Sequence, residues 1–193
     1  MQSRYDAEKI HSLENELNDF YQSKGVYLKP RTDFVKMAVQ LGFGVFTVKI
    51  KGEVDGLIYV KDGERKIGVN TNIKGKDLQY VVAHELGHYI RQLKNNNGIE
   101  SDVLIALKDH IFHNEEKAPL ENEMDYLAAA MLVPMWHFSK MIKSLGIGND
   151  VNYDNVEEKV NSELVNLLAG YYGVSDELIR RRIAEAVEYG KVA

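Results

Sequence analysis

The chain has 193 residues, 45% of them hydrophobic and 27% charged, with no cysteine and a net charge of -5 from 24 basic and 29 acidic residues. These are globular proportions, which allow a sizeable core and exclude a disordered or fibrous chain. The acidic balance argues against a chain-wide nucleic-acid footprint, and the missing cysteines exclude disulfides and thiolate metal ligands. The segment Met1 to Glu8 has no apolar run, so no signal peptide is expected, and the longest apolar run, Ala128 to Val133, is too short to span a bilayer. The expected setting is the cytoplasm, with no membrane partner.

Ile10, Leu13, Leu17 and Phe20 recur at helical spacing and predict an amphipathic helix over about 4–22, closed by Gly25 and Pro30. Thr32 is a candidate N-cap for a second helix with Phe34, Val35, Ala38 and Leu41 on its apolar face. The period then changes. Val45–Ile50, Leu57–Val60 and Lys66–Asn70 are β-rich runs, and Gly52, Asp55-Gly56 and Asp62-Gly63 between them are turn signals. They predict a three-stranded antiparallel meander.

Lys76 to about Leu93 reads as a helix, ended by Asn95-Asn96-Asn97-Gly98. Val103, Leu104, Ile105 and Leu107 suggest a short helix, Pro119 suits the first turn of a helix over about 118–132, and another covers about 135–145. Gly146 to Asp150 is a linker. Val156, Val160, Leu164, Leu167 and Leu168 predict one helix running to Tyr172. After a turn at Gly173, Ser175 caps a last helix lined by Leu178, Ile183 and Val187. The fold class is α+β, helices around one small sheet. It is organised as one domain, with a helical N-terminal segment (1–42), a sheet with the site helices (43–145) and a helical C-terminal segment (146–193).

Val82-Ala83-His84-Glu85-Leu86-Gly87-His88 carries the chemistry. On a helix, His84 and His88 at i and i+4 project from one face and can grip a divalent ion. Glu85 can then reach a metal-bound water as general base. The uncharged flanks make a buried helix, where unpartnered imidazoles would be costly. A tetrahedral zinc needs a third protein ligand, and Glu121-Asn122-Glu123-Met124-Asp125 offers three carboxylates. Glu121 and Asp125 share a face at i and i+4, so one can bind metal while the other orients a ligating imidazole. Glu123 points elsewhere and is the fallback ligand.

Ile67–Asn70, Ala83–His88 and Glu121–Pro134 together resemble the ImmA/IrrE family of metallo-endopeptidases. That family pairs a His-Glu-x-x-His helix with a later helix of the form Glu-x-x-Ala-Asn-x-Phe-Ala ending in Leu-Leu-Met-Pro. Met124 stands where the family has Ala, and Leu127 where it has Phe. The resemblance implies a zincin-like domain in which zinc is held by His84, His88 and Glu121. Asp125 takes the family's Asn or Asp position, and Glu85 is the catalytic base. It further implies a protein substrate. Members, often encoded on phages or integrative elements, cut a partner helix-turn-helix repressor. Leu168 to Leu178 is similar to the helix-turn-helix-like tail that many members carry.

His110, His113, Tyr80 and Tyr126 are candidate donors to a developing oxyanion. His11 and His137 read as structural or exposed, and Trp136 as core or rim. Arg180-Arg181-Arg182 adds local positive charge to the last helix. The run rotates around that helix among Asp176, Glu177, Glu185 and Glu188, so nucleic acid is not the expected partner. Two other functions stay open: a metal-stabilised module that sequesters a regulator without cutting it, and direct DNA binding.

Overall fold

The computed structural model describes residues 5–50, 54–108 and 119–191. In chain order it contains α1 (Ala7–Ser23), α2 (Phe34–Gln40), β1 (Gly44–Val48), β2 (Val54–Lys61), β3 (Glu64–Asn70), α3 (Lys76–Asn95), β4 (Val103–Lys108), α4 (Pro119–Leu132), α5 (Met135–Ser144), α6 (Val156–Lys159), α7 (Ser162–Tyr172) and α8 (Asp176–Tyr189). The class is α+β, as the patterning predicts. No helix among the described residues is long and apolar enough to cross a membrane. The chain forms two compact units, divided within α4 after Ala128. One takes in Thr32–Ala128. The other joins the residues through Arg31 to those from Ala129 onward.

The sheet of the first unit departs from the expected meander. It has four strands in the order β1-β3-β2-β4 and is mixed: β1 pairs parallel with β3, while β2 is antiparallel to both β3 and β4. Burial explains the order. β3 ends in four successive buried residues and takes an interior place, whereas β1 has no buried residue and lies at an edge. The β2–β3 hairpin is the part that local sequence dictates. Lys61 faces Glu64 across Asp62-Gly63, whose φ values of 51° and 81° are the left-handed pair of a type I′ turn.

Four further expectations are corrected. Asp55-Gly56 is no turn but lies inside β2, where Asp55 is the extra residue of a bulge between the Val54–Lys108 and Gly56–Leu107 pairs. Gly52 falls outside the described residues. Val103 to Leu107 form strand β4 rather than a helix, since an apolar run this short carries no decisive period and the free edge of β2 selects the extended form. The N-cap of α2 is Asp33, whose carboxylate accepts from the Lys36 amide, rather than Thr32. The helix expected from Val156 to Tyr172 is broken at Val160, which is extended. Asn161 starts α7 afresh by accepting from the Glu163 amide. Its apolar face is consequently Val165, Leu168, Ala169 and Tyr172, and Leu167 is exposed.

In the second unit α1 buries Ile10, Leu13, Leu17 and Tyr21. The same stripe buries Glu14, which is explained by Arg182 of α8. That guanidinium is fully buried. It donates to Glu14 Oε1 at 2.7 Å, to Glu185 Oε2 at 2.6 Å and to the Val133 carbonyl at 2.8 Å. Arg181 Nε donates to the other oxygen of Glu185 at 2.8 Å, and Glu14 Oε2 accepts from the Met135 amide at 3.3 Å. Every carboxylate oxygen in this network thus meets a donor. Removing Arg182 would take the guanidinium from one oxygen of each of two buried carboxylates, which costs about 3–5 kcal/mol. Arg182→Met is expected to lower the urea-unfolding free energy by that order. A change under about 1 kcal/mol would show the network to be energetically idle.

Candidate metal centre

α3 is buried on all sides from Tyr80 to Ile90, the pattern of a helix enclosed by other elements rather than lying on a surface. In the first unit it packs against β2, β3, β4 and α2, with Gln79 Oε1 accepting from the Phe34 amide at 2.7 Å. Gly87 faces α4, with room for little more than a methyl group. A Cβ there would already stand 3.4 Å from Met124 Sδ and 3.5 Å from Leu127 Cβ, so a larger side chain would push the helices apart.

The approach of α4 to α3 brings Glu121 and Asp125 onto the histidines. His84 Nε2 lies 3.2 Å from Glu121 Oε2, and His88 Nε2 lies 3.6 Å from the same oxygen. The other nitrogen of His84, Nδ1, lies 3.1 Å from Asp125 Oδ1, which also accepts from the Tyr80 hydroxyl at 3.0 Å. The ligand-capable atoms of His84, His88 and Glu121 all fall within 4.8 Å of one another. Glu123, the alternative third ligand, turns the other way and pairs with Arg91. Tyr80 spends its hydroxyl on Asp125, and Tyr126 is fully buried. His110 and His113 lie outside the described residues. His11 stacks on Tyr189, and His137 shares a hydrogen bond of 2.7 Å with the Tyr172 hydroxyl.

Three buried groups in this cluster have atoms without a hydrogen-bond partner among the described residues: His84 Nδ1, which has the Asp125 carboxylate beside it as an ion-pair contact, His88 Nε2, and both carboxylate oxygens of Glu85. Glu85 is fully buried, and burial pushes its carboxyl up to about 8. Burial acts on His84 in the opposite sense, but the Asp125 and Glu121 carboxylates outweigh it and hold the imidazole at about 9. His88 is lowered, chiefly by burial. Burial would raise Glu121, yet the two histidines hold it well below the usual carboxylate range. Two imidazoles and a carboxylate, convergent and part-unsatisfied, form a donor set that fits a divalent ion of the zinc type.

Fold and donor set are compatible with a metallopeptidase-type protein. The peptidase M78 family, described as the IrrE N-terminal-like domain, matches residues 38–184, and the chain belongs to this ImmA/IrrE family of metallopeptidases. No curated protein matches the chain. Among solved structures it is similar to a Mycobacterium tuberculosis transcriptional regulator, at 14% identity and a TM-score of 0.49. The match covers 88% of this chain but 45% of that one, so the chain spans under half the length of that protein.

Two predictions follow from the geometry. Alanine at His84, His88 or Glu121 is expected to abolish bound zinc by elemental analysis. Asp125→Asn should keep the ion but weaken it by roughly 10–100-fold in chelator competition. Retention of zinc by all three alanine variants would show that the metal binds elsewhere. The second prediction concerns pH. Between pH 6.5 and 9 the metal-free folded protein keeps protons that the unfolded chain releases, on His84 up to about 9 and on Glu85 up to about 8. The stabilisation from His84 is complete below 6.5 and is lost as pH rises through 9, and Glu85 acts in the same sense up to 8. The urea midpoint of metal-free protein should therefore fall from pH 6.5 to 9. A flat or rising midpoint would contradict the pairing of His84.

Proposed function

We propose that this chain is a zinc-dependent metallo-endopeptidase of narrow specificity, acting in the cytoplasm on a partner transcriptional repressor of the helix-turn-helix type. The observation that carries the catalytic part is Glu85, a fully buried carboxylate next to the His84–His88–Glu121 cluster whose oxygens have no hydrogen-bond partner among the described residues. A purely structural metal site has no use for such a group.

His84, His88 and Glu121 would hold the ion, with Asp125 orienting the His84 ring from Nδ1. When bound, zinc supplies Lewis acidity, which polarises the scissile carbonyl and lowers the pKa of water towards about 7. Glu85 accepts a proton from the attacking water as the new carbon–oxygen bond forms. It returns that proton to the leaving amine nitrogen as the carbon–nitrogen bond breaks.

The repressor substrate rests on the family likeness. A peptidase at work among the cell's own proteins must leave nearly all of them intact, which argues for one substrate and for low activity on generic peptides. The Arg180–Arg182 run gives no support to DNA binding. Arg182 is fully buried, Arg181 is nearly so, and both are committed to carboxylates of their own unit.

Co-expression of the protein, or its Glu85→Gln variant, with the repressor encoded beside its gene tests the proposal. Loss of full-length repressor with the wild type only is the expected result. Equal effects of the two proteins would overturn proteolysis in favour of sequestration, and salt-dependent duplex binding by the chain alone would favour a DNA-binding role.

A further inference from the structure

The face of β2 turned towards α3 carries Val60 and Ile58, 2% and 0% exposed. The two-residue period puts Gly56 next on that face, where a third apolar side chain would be expected. The bulge at Asp55 lies immediately before it. A Cβ built at Gly56 would fall 2.5 Å from Val81 Cγ1 and 2.8 Å from Glu85 Oε1, closer than the 3.0 Å that real Cβ atoms respect. Val81 and Glu85 are one turn apart on α3, so the space beside Gly56 is filled by the catalytic carboxylate and its neighbour.

We propose that Gly56 is a positioning residue for Glu85: the side chain it lacks leaves the slot in which the carboxylate lies. The inference rests on the peptidase reading of Glu85 given above. The physical need is specific. Among the described residues no hydrogen bond holds the Glu85 oxygens, so their placement leans on packing, and the β2 backbone at Gly56 is a wall of that slot. Gly56 acts through Glu85.

Gly56→Ala, Val81→Ala and the double variant separate positioning from mere packing. Val81→Ala removes the 2.5 Å clash and leaves only the contact on Glu85. The double variant is expected to recover the Tm of Val81→Ala and to bind one zinc as the wild type does. Its kcat on the purified repressor should stay roughly 10-fold to 100-fold below that of Val81→Ala, with KM unchanged. In its crystal structure the Glu85 carboxylate should have moved by about 0.6 Å or more, the difference between the 2.8 Å contact and the 3.4 Å of ordinary contact. Recovery of kcat in the double variant, or an unmoved carboxylate, would overturn the proposal. If the wild type cleaves no repressor, the peptidase reading fails. The position of the carboxylate still decides whether Gly56 holds it.

Discussion

Burying His84, Glu85 and His88 on one helix takes three ionisable groups out of water, and the first unit is built around that constraint. An isolated buried charge costs several kcal/mol even after the protein relaxes. Glu121 and Asp125 meet this cost for His84, one at each ring nitrogen, and the Tyr80 hydroxyl in turn holds Asp125. Because these partners sit on α4, the cluster exists only if α4 comes close to α3, which Gly87 allows. The same helix is approached by β2 at Gly56. Gly56 sets the space for the carboxylate, and Gly87 keeps the α4 side of α3 small.

Much of this site was legible in the sequence because helical spacing is a strict ruler. His84 and His88 at i and i+4, and Glu121 and Asp125 at i and i+4, leave little freedom once both segments are helical. Spacing alone left Glu123 open as the third ligand, and the structure places Glu121 beside the histidines while Arg91 takes up Glu123. Hairpin chemistry was legible for a similar reason: Asp62-Gly63 is a turn whose backbone geometry few other dipeptides adopt.

What the sequence hid is what distant parts of the chain decide. Strand order depends on which strand can be buried on both sides, so β1 pairs with β3 across the sheet although β2 follows it in the chain. The apolar run at Val103 took the extended form because β2 offered a free edge. Asp55-Gly56 has the composition of a turn, and only the packing of α3 against β2 reveals that its glycine is there for space rather than for backbone freedom. The signal was present in weaker form, as the missing member of the series Val60, Ile58, Gly56.

The two buried charge networks of this protein are held by one rule and mean different things. In the second unit, Glu14, Arg182, Glu185 and Arg181 are brought together from the two ends of the chain, and each carboxylate oxygen meets a donor. A network satisfied in this way fixes α1 against α8 and leaves nothing over for a ligand. In the first unit the two histidines are only partly satisfied, and Glu85 has no hydrogen-bond partner among the described residues. Leaving a buried carboxylate in that state is a cost that stability alone does not repay. Arg181 and Arg182 of the arginine run are thus structural, in line with the acidic surroundings read from the sequence. Glu85, without a hydrogen-bond partner among the described residues, is the buried group that the proposed chemistry would use.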